Sequence, residues 1–189
     1  MRWQQLFADL QAEFEEAEAA EERAQLPSRA RAETGAVRLA ERLGSALGGR
    51  VSLRCRGAGD VAGRLTERGP DWLLLEDDAG REVLVALPAV LAVAGLVRTT
   101  AAPAPASRVG AAVDLRRALR GLARDRSAVA LVLDDGGVLT GTVDRVGADF
   151  VELAEHAADD FRRPGAVRGV RAVALAAVAV VRTLTPGAA

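Results

Sequence analysis

The stretch GTVDRVGADFVEL, Gly141–Leu153, decides how this chain is read, because the chain contains a close copy of it. At Gly63–Leu75 the sequence is GRLTERGPDWLLL. Gly63 and Gly141, Leu65 and Val143, Gly69 and Gly147, Asp71 and Asp149, Trp72 and Phe150, Leu73 and Val151, and Leu75 and Leu153 correspond at a constant offset of 78. The correspondence runs backwards through Val51/Val129, Leu53/Leu131 and Val61/Leu139. Forwards, Val85, Leu87, Ala89 and Val90 match Val173, Leu175, Ala177 and Val178 at an offset of 88, so the second copy carries ten extra residues. They are placed most simply within 156–168, as a longer hairpin. Internal self-similarity on this scale says more about the fold than any single motif.

Each copy divides into five short strands. In the first, VSLRC and VAGRL alternate in polarity, DWLLLE and EVLVAL are β-rich runs, and Pro88 separates the last of these from VLAVAGL. The intervening GAG, RGP and DDAG are turn sequences. The second copy keeps the order with VALVL, VLTGTV, DFVELA, VRAVAL and VAVVRTL. Helical patterns precede both copies, a weak one over 28–48 that closes at Gly48-Gly49 and a clear one in AAVDLRRALRGLARDR, where Leu115, Leu119 and Leu122 face inward. The expected organisation is an acidic amphipathic helix and its connection over 1–33, repeat one over 34–98, a Pro/Ala linker over 99–110, a helix plus repeat two over 111–185, and a tail over 186–189.

A helix followed by five short, bent strands resembles the Sm-like barrel, a variant of the SH3-like small barrel. Gly141-x-Val143, Gly147 and Asp149-Phe150-Val151 resemble the first Sm motif, and VALAAVAVV resembles the second in its bacterial RNA-chaperone form. The resemblance covers about two-thirds of the chain and implies a mainly β fold with helices. It predicts two tandem five-stranded small barrels, each preceded by a helix, behind an N-terminal amphipathic helix. The opening MRWQQLFADL is also similar to that of a family of actinobacterial proteins, a resemblance that implies no activity. Departures from the Sm pattern matter for function. The Asp and Asn that read uracil in Sm proteins fall here at Gly147 and Val151, and at Gly69 and Leu73 in repeat one. The Lys-His pair of the bacterial chaperones falls at Leu175-Ala176 and at Leu87-Pro88. Aliphatic side chains cannot hydrogen-bond a base edge, so no base-specific pocket is expected in either repeat.

A lone barrel of about fifty residues buries little surface, and EVLVALPAVLAV and VRAVALAAVAVV would be apolar edges. One edge of each copy is expected to pair with the other within the chain. Ring closure or dimerisation would cover the remaining two, so a homo-oligomer is expected; a closed pair within one chain, capped by the N-terminal helix, is the alternative. Over 2–25, Trp3, Leu6, Phe7, Leu10 and Phe14 share one helical stripe that would dock on a partner or on the protein itself. Six Glu on the remainder of that helix argue against a membrane surface.

Composition excludes several classes. The net charge is −1, and residues 1–33 hold 4 Arg against 8 acids while 34–189 hold 21 against 18. All 25 basic residues are Arg, and Lys, Ile, Asn and Tyr are absent. The single Cys55 rules out an intrachain disulfide and a Cys-rich zinc site, and its alternating context reads as a buried or half-buried thiol rather than a nucleophile. His156 is the only imidazole and is expected in a solvated loop. Asp71 and Asp149 read as turn-capping residues, and the pairs Asp77-Asp78, Asp134-Asp135 and Asp159-Asp160 as turn acids, too few to hold a cation. The chain is expected to be non-catalytic, with no cofactor and no metal, and to be soluble and cytoplasmic, with no apolar run long enough to span a bilayer.

The strongest candidate site is the helix before repeat two. Arg116, Arg117, Arg120 and Arg124 gather on one face and Arg126 follows. This arrangement is expected to bind the phosphates of RNA or another single-stranded nucleic acid. Asp114 and Asp125 are partial counter-charges that suit a merely solvated helix. Arg54 and Arg56 would extend a basic surface that offers no aromatic stacking platform. The alternative is a protein-interaction and oligomerisation scaffold.

Overall fold

The computed structural model describes residues 11–16, 18–19, 21, 35, 37–96, 112–157 and 167–184. The chain divides into two compact units, Met1–Leu39 and Ala40–Ala189. In the first, residues 11–16 are helical and exposed, with Gln11 Nε2 donating to Glu15 Oε1 one turn on at 3.2 Å. Phe14, the described member of the predicted stripe, is 70% exposed; Trp3, Leu6, Phe7 and Leu10 lie outside the described residues, as does the predicted linker.

Helix α1 (Leu39–Gly44) leads into the strands and buries Leu43 completely. Strands β1 (Arg50–Cys55), β2 (Gly59–Arg68), β3 (Trp72–Glu76) and β4 (Glu82–Ala86) form an antiparallel meander. A 3-10 turn at Leu87–Ala89, with Pro88 inside it, reverses the chain into β5 (Val90–Ala94), which returns to pair with β1. Helix α2 (Leu115–Asp125) is followed by β6 (Ala128–Leu133), β7 (Val138–Val146) and β8 (Phe150–Glu155). Then come β9 (Gly169–Ala174), a 3-10 turn at Leu175–Ala177 and β10 (Val178–Thr183), which pairs with β6.

The two halves carry the same pairings and the same irregularities. The β2–β3 register shifts between Leu65 and Glu67, and the β7–β8 register shifts between Val143 and Arg145, each 78 residues further on. A bulge widens the local twist and lets a short sheet curl over its core. The shared glycines have a steric origin. A Cβ on Gly141 would stand 2.1 Å from the carbonyl oxygen of Ala154, and one on Gly63 would stand 2.5 Å from that of Glu76. At the strand tip, a Cβ on Gly147 would enter the Phe150 ring, as one on Gly69 would enter the Trp72 indole. The quoted motif is therefore a packing unit: glycine where strands approach, then glycine under an aromatic ring.

The expectation of two tandem small barrels is overturned. All ten described strands form one open antiparallel sheet in the order β5-β1-β2-β3-β4-β10-β6-β7-β8-β9. The halves are joined where β4 pairs with β10, placing Val85 opposite Val180, Leu84 opposite Val181 and Val83 opposite Arg182. The reason lies in the composition of these strands. Val83–Ala86 and Val178–Val181 are buried throughout, and pairing them satisfies backbone groups that two separate units would leave bare. The fold is mainly β, and no described helix is long and apolar enough to cross a membrane.

His156 is also misplaced by its sequence context. It is 2% exposed rather than solvated. Its Nδ1 lies 2.8 Å from the Ala157 carbonyl, which can only accept, so Nδ1 carries the proton and Nε2 accepts from the buried Thr142 hydroxyl at 2.9 Å. The ring ties β7 to the end of β8, and the residues beyond it, 158–166, lie outside those described.

Cys55 is buried as its alternating context predicts. Burial, with Asp60 nearby, pushes its thiol up to about 11. The unfolded thiol ionises first, near ~8.5, so folding stability is lost as pH rises from there through about 11. The chain has no Lys or Tyr to titrate across that range. Urea midpoints compared at the two ends of this window are expected to show a loss of ~2 kcal/mol that Cys55→Ala abolishes.

Candidate nucleic-acid interface

Helix α2 begins at Asp114, whose carboxylate accepts the Arg117 N–H at 2.7 Å as an N-cap. A second carboxylate reinforces this start from far away in sequence. Asp71 Oδ1 accepts the Leu115 N–H at 2.8 Å, and the Trp72 indole N–H donates to the Val113 carbonyl at 2.7 Å. Asp71 thus caps a helix in the other half of the chain rather than its own turn. Its backbone carbonyl also accepts the Leu87 N–H, as that of Asp149 accepts the Leu175 N–H, so the two tips anchor the two 3-10 turns alike. Leu115 and Leu119 are buried and Leu122 is half-buried, which fixes the inner face of the helix. At the far end Arg126 adopts a left-handed conformation (φ 52°) as the C-cap.

With that inner face fixed, Arg117, Arg120 and Arg124 point outward and are exposed, as is Arg126. At 100° per residue the first three fall within a narrow arc, and Arg117 and Arg124 are separated by roughly 10 Å along the helix axis. Arg124 has a loose contact with Asp125 at 3.7 Å, whereas Arg117, Arg120 and Arg126 form no ion pair with a described residue. Arg116 departs from the predicted set. It is half-buried, lies 3.6 Å from Asp114, and turns toward a cavity of about 350 Å³ beside the two 3-10 turns. Arg56 lines the same cavity, together with Asp71, Asp114 and Asp134. Arg54 is paired with Asp60 at 3.3 Å.

The acid pairs serve turns. Asp77 accepts backbone N–H groups of Ala79 and Arg81, and these bonds with the Arg81 guanidinium hold its carboxyl below the ordinary range. Arg50 does the same for Asp78. Asp135 accepts the Gly137 N–H, while Asp159 and Asp160 lie outside the described residues. Among the described residues no group of three or more His, Cys, Asp or Glu side chains could hold a metal ion.

The Asp71–Trp72 clasp on α2 and the inward turn of Arg116 were not read from the sequence. A signal for the clasp exists in the Asp-aromatic pair shared by both copies, but its target is 44 residues away. Such a fold and site define a mainly β sheet protein with a basic helix across its centre. Comparison with models of known protein families gives no match, and comparison with curated proteins gives none.

Proposed function

We propose that this chain is a non-catalytic protein that binds the phosphate backbone of RNA or single-stranded DNA through α2. The observation that carries the reading is the outward row of Arg117, Arg120 and Arg124, with Arg126 beyond it, in which three of four guanidinium groups lack an ionic partner among the described residues. Guanidinium groups left in solvent on one helix face suit phosphate oxygens, which they can bind bidentately. Binding of this kind is sequence-tolerant, because Trp72, the ring packed against α2, is buried and cannot stack a base.

The test is titration of labelled, mixed-sequence single-stranded RNA and DNA with protein freed of nucleic acid by nuclease treatment. Three to four phosphate contacts predict a slope of about −2 to −3 in log affinity against log salt. Replacing Arg117, Arg120 and Arg124 together with Gln is expected to weaken binding at low salt by at least about tenfold and to flatten that slope. Absence of salt-sensitive binding would remove the proposal.

A second reading, a self-associating scaffold, is favoured by a separate observation. The outer strands β5 and β9 each lack a neighbour on one side among the described strands, and carry exposed Leu91 and Val170.

A further inference from the structure

The seam between the halves has an unfilled counterpart at each end of the sheet. By the 88-residue correspondence, β9 is the equivalent of β4 and β5 is the equivalent of β10. The pair that meets at the seam is mostly buried; the pair left at the ends is mostly exposed, with Val173 the buried exception. Residues 83–86 of β4 are buried, whereas Arg171, Ala172 and Ala174 of β9 are exposed. Val178–Val181 of β10 are buried, whereas Leu91, Ala92 and Ala94 of β5 are exposed. Val83 and Leu84 give way to Arg171 and Ala172, but the contrast holds where the residue is the same: Ala86 is buried and Ala174 exposed, and Val178 and Val181 are buried where Val90 and Val93 are half-buried.

The strand tips repeat the contrast. Trp72 is 6% exposed because α2 lies over it, and Asp71 caps that helix. Their equivalents are uncovered: Asp149 is exposed, and Phe150 is 37% exposed. A matching helix exists at the other end of the sheet. Leu43 of α1 and Leu119 of α2 are both completely buried, and one turn earlier Leu39 is 43% exposed where Leu115 is 7% exposed. Among the described residues, Phe150 thus lacks a helix and α1 lacks an aromatic ring.

From this we propose that two copies of the chain join head to tail, β9 of one pairing antiparallel with β5 of the next, with Asp149 and Phe150 of the first seating against α1 of the second. The proposal names the partner for the scaffold reading and is independent of the arginine face. Transferring the seam register by 88 residues sets Val173 opposite Ala92, Ala172 opposite Val93 and Arg171 opposite Ala94 of the second copy. The contact is heterologous, so each added copy presents a fresh β9, and growth continues until rotation closes a ring.

The test combines mass and register. Light scattering on nucleic-acid-free protein at high salt is expected to give multiples of the chain mass, rising with concentration. Phe150→Asp, at an exposed position, is expected to weaken association at least about tenfold. Differently tagged Ala94→Cys and Arg171→Cys proteins, mixed under mild oxidation, are expected to form a disulfide-linked heterodimer. Ala94→Cys paired with Gly169→Cys, out of register, is expected to cross-link far less. A monomer at every concentration would overturn the proposal, and so would Ala94→Cys cross-linking to itself as readily, which would mean β5 meeting β5. Arg117→Gln/Arg120→Gln/Arg124→Gln is expected to associate like the parent, so loss of nucleic-acid binding and loss of assembly are separable results.

Discussion

Gly141→Ala is expected to destabilise the fold by ~3 kcal/mol or more. The added Cβ would meet the Ala154 carbonyl oxygen at 2.1 Å, its carbon at 2.9 Å and the Glu155 Cα at 3.1 Å. All three are backbone atoms, so no side chain can rotate out of the way. Relief requires β7 to move off β8 where Gly141 faces Glu155 and Thr142 faces Ala154. That movement also strains the buried Thr142–His156 hydrogen bond. The matched control is Gly121→Ala on α2, where a Cβ meets nothing within 4 Å. A helix-interior glycine in open space is expected to gain about 0.5–1 kcal/mol on substitution. Urea midpoints of the two variants are therefore expected to move in opposite directions. A Gly141→Ala midpoint equal to the parent's would mean that β7 and β8 do not approach this closely.

Trp72→Ala is expected to cost about 3–5 kcal/mol, and Trp72→Phe only about 1–2 kcal/mol. The indole is almost fully buried between the end of β3 and α2, and its N–H holds the Val113 carbonyl. Alanine opens a cavity along the seam, next to an apolar groove lined by Leu74, Leu84, Leu122 and Val181. Phenylalanine keeps the ring, as the equivalent Phe150 does, and forfeits the hydrogen bond to Val113. The discriminating readout is amide hydrogen exchange at the start of α2. Both variants are expected to speed exchange there, whereas exchange at β8 is expected to change only with alanine. Unaltered protection of α2 in Trp72→Ala would show that the ring does not hold the helix.

The local architecture was legible because it depends on local signals. Glycine, Pro88 and the alternation of VSLRC and VAGRL mark turns and strands within a few residues of where they act. The repeated motif then tied ten strands into two matching sets. That one apolar edge of each half meets the other was legible, as the β4–β10 pairing shows; which edges meet, and that the result is one open sheet rather than two barrels, was not. EVLVA and VAVVRT are equally suited to covering their own half or the other, and the three paired positions Val83–Val85 and Val180–Arg182 decide it. His156 illustrates the same limit. One imidazole in a polar stretch reads as solvated until Thr142, fourteen residues earlier, supplies a buried hydroxyl. The arginine row was legible from helical periodicity, except at Arg116, whose direction depends on Asp114 and the neighbouring 3-10 turns.

The β4–β10 seam also dictates an order of events in synthesis. Val85 must wait for Val180, so the strand that needs cover soonest is joined by one made only after the whole second half has begun to form. The β1–β4 meander can form early from neighbouring strands, but the outer edge of β4, with Val83, Leu84 and Val85, then stays unpaired while α2 and five further strands are made. Such long-range pairing is slow, and a bare apolar edge is where nascent chains stick to one another. The longest-lived hazard in this protein's folding is thus the same surface that, once closed, makes its ten strands one sheet.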